Sequence, residues 1–379
     1  MKFNRNYYIA VFLFIIVLLA VFLSMIFYHP GTTVNAGSKR TGISIDCARS
    51  FKNVNFIKKY INEIHKNKGN YLTLHLTDNE NFAVENESLH QTISNAYYKS
   101  GIYYNKKTKL PFLSKNQLKN IIHYGNSKHV EVIPEIDVPG HAQGIFSLLK
   151  ANGEYNLYKQ VVRSDGYNEM DYAKEKTLSL SKRIIGEYIP LIKAGDYISI
   201  GGDEITVNND KQEDQIVKYI NSMDSYINQH SIKMTMWNDA FHKKVINKYN
   251  KNILIDYWSY SGQRASQEQS NQNMALRATM PELNKAGFKT INCNFYYLYL
   301  IANEKIFNKH NVQFWKNDLM KWNPKIWNNN DNTSLDKSKN NIGMQLSIWN
   351  DGSYKINNLD LYNNLKTYIK SYLNYSNSF

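Results

Sequence analysis

The sequence predicts a single (β/α)8 TIM-type barrel behind an N-terminal apolar helix. Three observations carry that expectation. Eight short strand-like runs recur between residues 41 and 349, and helical patterns lie between them. Each run ends in polar or aromatic residues, as barrel strands do at the rim that carries chemistry. No glycine-rich phosphate turn follows the first run, which weighs against the runner-up, an open doubly wound sheet of the dinucleotide-binding kind.

The elements follow in chain order. Lys2 and Arg5 precede an uncharged run, YYIAVFLFIIVLLAVFLSMIFY, at residues 7–28. At ~1.5 Å per residue this run can cross ~30 Å of hydrocarbon. Positive charge before it places the N-terminus in the cytoplasm and the remainder outside. Its length favours an uncleaved single-pass anchor in the cell membrane. The small-residue stretch VNA (34–36) before Gly37 offers the alternative of cleavage near Ala36 and secretion. Residues 1–28 are thus read as cytoplasmic tip and membrane or signal segment, 29–40 (HPGTTVNAGSKR) as linker, and 41–379 as barrel.

The eight runs are TGISIDCAR (41–49), NYLTLHLTD (70–78), HVEVIPEID (129–137), YISIGGDE (197–204), IKMTMWND (232–239), ILIDYWS (253–259), FKTINCNF (288–295) and NIGMQLSIW (341–349). Helices are expected over 53–68, 114–128, 175–195, 214–230, 280–287 and 359–373. Asn53 and Ser114 are candidate caps, and Pro190 should break the third helix. The Asn-rich stretch 323–341 reads as an exposed loop.

Composition excludes some classes. The chain has 379 residues, 42% of them hydrophobic, and a net charge of +14. Its basic residues form no long run, no zinc-finger spacing and no basic helix, so nucleic acid is not an expected partner. Anionic wall polymers or lipid head groups would suit the charge, and a generally solvated basic surface accounts for it equally well. Cys47 and Cys293 are too few for a disulfide framework and fall in separate strands, so two buried thiols are expected.

The strand ends carry Asp46 and Arg49, His75 and Asp78, and Asp137. Asp203 and Glu204 end the fourth run, and Trp237, Asn238 and Asp239 the fifth. Trp258, Asn294, Tyr296, Tyr297, Trp349 and Asp351 complete the set. Helix capping explains any one aspartate, and a core position explains any one tryptophan. Neither explains the whole set. Carboxylates beside flat aromatic walls suit carbohydrate, with hydroxyls for the acceptors and C–H faces for stacking.

Asp203 and Glu204 are consecutive, so they cannot face each other across a glycosidic bond at the ~5–5.5 Å or ~6.5–9.5 Å of the usual carboxylate pairs. Substrate-assisted hydrolysis needs only one acid, because the sugar's 2-acetamido oxygen is the nucleophile. Like charges side by side should raise one of the two pKa values. The glycines before the pair are expected to let a sugar approach the backbone.

In this order, GISIDCAR, LHLTDNENF, VIPEIDVPGH, YISIGGDE, MWND, YYLY and LSIW resemble glycoside hydrolase family 20, the β-N-acetylhexosaminidases. The likeness runs from about residue 40 to the C-terminus. Many members carry a small α/β domain before the barrel, where this chain has its apolar segment. The resemblance implies retaining hydrolysis through an oxazolinium intermediate, with no metal and no cofactor. Glu204 would be the acid and then the base, and Asp203 would hold the acetamido N–H. Tyr297 would donate to the acetamido oxygen. Trp237, Trp258 and Trp349 would wall the pocket, and Arg49 would bind hydroxyls of the terminal sugar. Asp78, Asp137 and His141 match a supporting network beneath the pair.

Two departures stand out. Asp351, in the run WND, stands where the family usually has a glutamate that grips the terminal sugar, and Asn79 stands where many members have an aspartate. The implied substrate is an N-acetylglucosamine-containing polysaccharide, with β-1,6 poly-N-acetylglucosamine of biofilm matrix first and chitobiose or glycan ends as the alternative. Two other readings stay open. One is a non-catalytic sugar-binding barrel. The other is a metallohydrolase using His75, Asp137 and His141, whose spacing matches no zinc motif.

Overall fold

The computed structural model describes residues 39–262, 266–302, 309–328, 331, 333–351 and 357–378. The expected membrane segment at 7–28 and all of the linker before Lys39 lie outside them. Among the described residues, no helix is long and apolar enough to cross a membrane.

The described residues form twelve strands: β1 Arg40–Asp46, β2 Tyr71–His75, β3 Ala96–Lys99, β4 Ile102–Asn105, β5 Pro111–Phe112, β6 Glu131–Glu135, β7 Tyr197–Ser199, β8 Lys233–Trp237, β9 Leu254–Tyr257, β10 Lys289–Asn292, β11 Tyr299–Ile301 and β12 Asn341–Trp349. Eight of them close a parallel barrel in the order β1-β2-β6-β7-β8-β9-β10-β12, with β12 returning to β1, and β11 pairs in parallel along β12 as a ninth. Ile43 lies between Leu72 on one side and Leu346 on the other, so the sheet closes. The barrel is the one the eight runs predict.

Residue alternation explains why it closes this way. Ile43, Ile45, Leu72, Leu74, Met234, Met236, Leu346 and Ile348 join the surrounding helices in one core. The intervening positions carry polar groups that bond across the interior. Thr73 Oγ1 reaches Gln345 Oε1 at 3.0 Å, Ser199 Oγ donates to Glu135 at 2.7 Å, and Thr235 Oγ1 to Asp256 at 2.8 Å. Burial pushes the Asp256 carboxyl up to about 7. Cys47 and Cys293 are buried and free, as expected.

The caps read from sequence form. Asn53 accepts from Phe56 N at the head of helix Val54–Lys66, and Ser114 makes a capping box with Gln117 ahead of Lys115–Ser127. The third helix stops at Gly186, and Pro190 falls in a separate short turn, Ile189–Leu191. Other elements differ from expectation. Arg40, assigned to the linker, opens β1. Helices Gln143–Ala151, Tyr155–Val161, Gln267–Leu276 and Lys309–Leu319 are not among those expected. Strands β3 to β5 form a small antiparallel sheet in the loop after β2, built on paired tyrosines. The Asn-rich stretch is not simply exposed. Ile326 and Asp336 are buried, and Asn292 Nδ2 donates to the carbonyls of Pro324 and Ile326 at 2.8 Å each.

At the N-terminal end of the barrel, Arg40 is buried between the rings of Tyr71 and Tyr197, 4.7 Å from each. Its Nη1 lies 2.8 Å from Glu131 Oε2, and Glu131 Oε1 accepts from Tyr197 N at 2.7 Å. Truncating Glu131 leaves a buried guanidinium unpaired, so Glu131→Ala is expected to cost about 3–5 kcal/mol in urea unfolding. A cost below about 1 kcal/mol, the range of an exposed pair, contradicts the burial.

Candidate active site

The predicted fourth strand is shorter than expected. β7 ends at Ser199, and Asp203 and Glu204 lie on an irregular loop beyond it. The backbone explains the early end: Gly201 has φ +63, Gly202 +80 and Glu204 +51, all left-handed. The glycines serve a different purpose from the one expected. A Cβ on Gly201 would overlap the Asp137 carboxylate, and one on Gly202 would lie 2.9 Å from Met236. They admit supporting side chains from below. Asp137 Oδ1 then accepts from Gly202 N at 2.9 Å.

Three acidic groups surround His141, itself at φ +43. Its Nε2 is 3.4 Å from Asp203 Oδ2 and 3.6 Å from Glu204 Oε2. Its Nδ1 is 3.7 Å from Asp78 Oδ1 and 3.1 Å from the Asn79 amide. This arrangement separates the two neighbouring carboxyls. Burial alone would raise Asp203, but the His141 charge and hydrogen bond draw it down to about 2. Burial within the cleft raises Glu204, although its side chain is 61% exposed, and the Asp203 charge raises it further. Asp203 is therefore a fixed anion and Glu204 the group that holds a proton longer. Asp203 Oδ1 is buried without a hydrogen-bond partner among the described residues.

A second chain of charges runs under the first. His75 Nδ1 is 2.6 Å from Glu135 Oε1, and its Nε2 is 2.8 Å from Asp78 Oδ2. Burial works against the His75 cation, but these two carboxylates hold its pKa well above the ordinary value. Asp78 continues the chain to Arg49 Nη2 at 2.6 Å, and Arg49 Nε lies 3.4 Å from Asp351 Oδ1. The expected grip residues, Arg49 and Asp351, thus stand together. Both ring nitrogens of His75 are engaged, so the set His75, Asp137 and His141 is not free to ligate a metal. One donor atom each from Asp137, His141 and Asp203 lies within 4.8 Å of the others.

The aromatic wall holds the three expected tryptophans. Trp349 is 6.0 Å from Trp237, and Trp258 donates Nε1 to Asp239 Oδ2 at 2.7 Å. Tyr297 is not part of this group. Its ring packs against Tyr296 and Trp322. The tyrosine present is Tyr299, 6.2 Å from Trp258 and 5.7 Å from Trp349. Burial first, then the charges of Asp351 and Asp203, push its hydroxyl well above the ordinary value, so it stays a donor. The chain turns between residues 295 and 298 before β11 begins, and YYLY does not reveal which tyrosine the turn delivers.

Glu135, Tyr299 and Arg277 were not singled out from sequence. Glu135 had a signal, since it shares the inward phase of Asp137 in HVEVIPEID. Arg277, whose Nη2 is 2.8 Å from Asp239 Oδ1, had none. Asn238 and Asn294 stabilise the frame. Asn238 bonds Trp258 N and Ser259 O, and Asn294 Oδ1 accepts from Tyr296 N.

Residues 40–362 match the catalytic domain of glycosyl hydrolase family 20. Among solved structures, that of dispersin B superposes with TM-score 0.84 at 29% identity, covering 90% of this chain and 100% of dispersin B. A catalytic module of the pneumococcal exo-β-D-N-acetylglucosaminidase shares the fold, with TM-score 0.68, 19% identity, and coverage of 88% of this chain and 83% of that module. The β-hexosaminidase subunit β of Entamoeba histolytica is 24% identical over 281 residues, 68% of this chain and 44% of that protein. The lacto-N-biosidase of Bifidobacterium bifidum is 23% identical over 270 residues, 64% of this chain and 21% of that protein. The matches span less than half the length of these curated relatives.

Asp137 carries a further consequence. It is fully buried, and burial followed by the Asp203 charge holds its pKa well above the ordinary value. The folded carboxyl keeps a proton that the unfolded chain releases above about pH 4, so its contribution to stability declines as pH rises from there toward the raised pKa. Asp137→Asn keeps the shape and removes the titration. Its melting temperature is expected to match wild type near about pH 4 and to exceed it near about pH 8. A difference that does not change with pH contradicts this.

Proposed function

The chain belongs to glycosyl hydrolase family 20, and from that premise we propose that it is a retaining β-N-acetylhexosaminidase whose substrate supplies its own nucleophile. One observation carries the proposal: two consecutive carboxyls are held in opposite states. Asp203 is drawn down to about 2 by His141, while burial and Asp203 raise Glu204, whose side chain opens to solvent. A general acid has to keep its proton near working pH, and a group that orients an amide has to stay charged.

The steps follow from those states. The glycosidic oxygen takes the Glu204 proton as its bond to C1 breaks. The acetamido oxygen bonds to C1 from the opposite face and gives a cyclic oxazolinium ion. Asp203 Oδ1, which has no hydrogen-bond partner among the described residues, accepts the acetamido N–H and steadies the developing positive charge. Tyr299, next to Trp258 and Trp349, is better placed than Tyr297 to donate to the acetamido oxygen. Water then gives a proton to Glu204 and bonds to C1 from the side the leaving group vacated, while the bond from C1 to the acetamido oxygen breaks and the acetamido group re-forms, so configuration is retained. Arg49 and Asp351 hold hydroxyls of the terminal sugar against Trp349, whose ring lies 5.6 Å from the Arg49 guanidinium.

β-1,6-linked poly-N-acetylglucosamine is the proposed substrate, by likeness to dispersin B over 90% of the chain. The apolar run at 7–28 supports a catalytic domain tethered outside the cell membrane. The basic surface supports contact with anionic wall polymers or lipid head groups.

Glu204→Gln is expected to lower turnover of β-N-acetylglucosaminides with poor leaving groups by about 10²–10⁴-fold. Unchanged turnover rules out the mechanism. Defined β-1,6 and β-1,4 oligomers assayed in parallel test the substrate. Faster release from the β-1,6 series is expected, and equal or faster release from the β-1,4 series favours chitobiose or glycan ends. Binding without turnover of either series favours the sugar receptor.

A further inference from the structure

The loop that carries Glu204 has no helix or strand between Ser199 and Asp210. Glu204 itself is left-handed and its carboxyl is open to solvent. Its position has to be fixed from elsewhere. Upstream, Asp137 fixes Gly202 through its backbone N–H. Downstream, Ile205 is buried in the core, and the next residue, Thr206, is held at every polar atom. Thr206 N donates to Glu169 Oε1 at 2.9 Å, and its hydroxyl donates to the same oxygen. Thr206 O accepts from Arg163 Nη1 at 2.7 Å and from Tyr172 Oη at 2.9 Å.

Arg163 and Glu169 belong to one hairpin. Arg163 N donates to Glu169 O at 3.0 Å, and Asp171 N to Val161 O at 2.7 Å. Their side chains are 3% and 2% exposed and lie 3.3 Å apart, with Arg163 also paired to Asp165 at 2.8 Å. The same hairpin grips the His141 loop from its other edge. Ala142 N donates to Asn168 O at 2.7 Å, and Met170 N to Pro139 O at 2.8 Å. One hairpin therefore spans the loop of the proton donor and the loop of the histidine that sets the charge of its neighbour.

We propose that Arg163 and Glu169 are positioning residues for the proton-donating carboxyl of Glu204, with the 161–171 hairpin bracketing the Glu204 and His141 loops through Thr206 and the backbone of Ala142 and Pro139. The proposal rests on the reading of Glu204 as the acid. It concerns placement of that acid, so in kcat/KM, which reports steps up to departure of the leaving group and not the later step in which Glu204 is the base, it predicts a defect only where a proton has to be delivered. Glutamine at 169 still offers an oxygen to Thr206 N, and alanine does not.

The test compares wild type, Glu169→Ala and Glu169→Gln on two β-N-acetylglucosaminides. From one, 2,4-dinitrophenolate leaves as an anion without protonation. From the other, an alkyl alcohol leaves only when protonated. Glu169→Ala is expected to lose about 100-fold on the alkyl glycoside and less than about threefold on the dinitrophenyl one, as for a misplaced general acid. Glu169→Gln should recover most of that loss. If Glu169→Ala melts below the assay temperature, Thr206→Val replaces it. It removes one hydrogen bond to Glu169, and a loss of about tenfold confined to the alkyl glycoside is expected. Equal losses on both substrates, or no loss on either, overturn the bracket. Absence of wild-type turnover on both substrates overturns the enzymatic reading instead.

Discussion

The site depends on charge buried inside the barrel. Glu135, His75, Asp78 and Arg49 form a continuous line from the barrel interior to its mouth, with separations of 2.6, 2.8 and 2.6 Å. Taken alone, each of these groups would be costly to bury. Taken together, they satisfy one another, and the last two reach the cleft. Asp78 faces both Arg49 and His141, so the proposed sugar grip and the proposed acetamido site share one aspartate. The tryptophans pack over this line, and Trp349 meets His75 edge-on at 5.0 Å.

The catalytic loop follows a related rule. Three left-handed residues in four would not hold a loop in place by themselves. Their surroundings determine them: the Asp137 carboxylate fills the space where a Gly201 Cβ would sit, Met236 lies under Gly202, and Thr206 is bonded on all sides. Regular secondary structure ends at Ser199, so the geometry of the chemistry comes from side chains on neighbouring loops.

Much of this was legible in the sequence. The eight barrel strands were visible because inward and outward residues alternate in each. The carboxylates, histidines and tryptophans at strand ends were visible because a barrel collects its strand ends on one rim. What escaped notice depends on contacts that no local pattern encodes. Glu169 and Arg163 meet Thr206 across 37 and 43 residues. Tyr299 rather than Tyr297 stands beside Trp258 and Trp349, because of a turn that a four-residue motif does not specify. The run at 197–204 extends five residues beyond β7 because Ile200 continues an apolar pattern, while the positive φ angles after it respond to Asp137, 65 residues before Gly202. The small β3–β5 sheet was hidden because its tyrosine runs show neither a strand nor a helix period.

Asp46 closes the ring. Its Oδ1 accepts from Ala48 N and Arg49 N, and its Oδ2 accepts from Asn350 N at 3.0 Å, joining the first strand's loop to the last across 304 residues. Lys52 crosses the same seam to reach Asn350 Oδ1 at 3.2 Å. Arg49 and Asp351 stand on opposite sides of it. As the ribosome extends the chain, Asp46 and Arg49 emerge near its start, but Asn350 and Asp351 come only with the final strand. The seam that closes the barrel is thus among the last contacts that synthesis makes available.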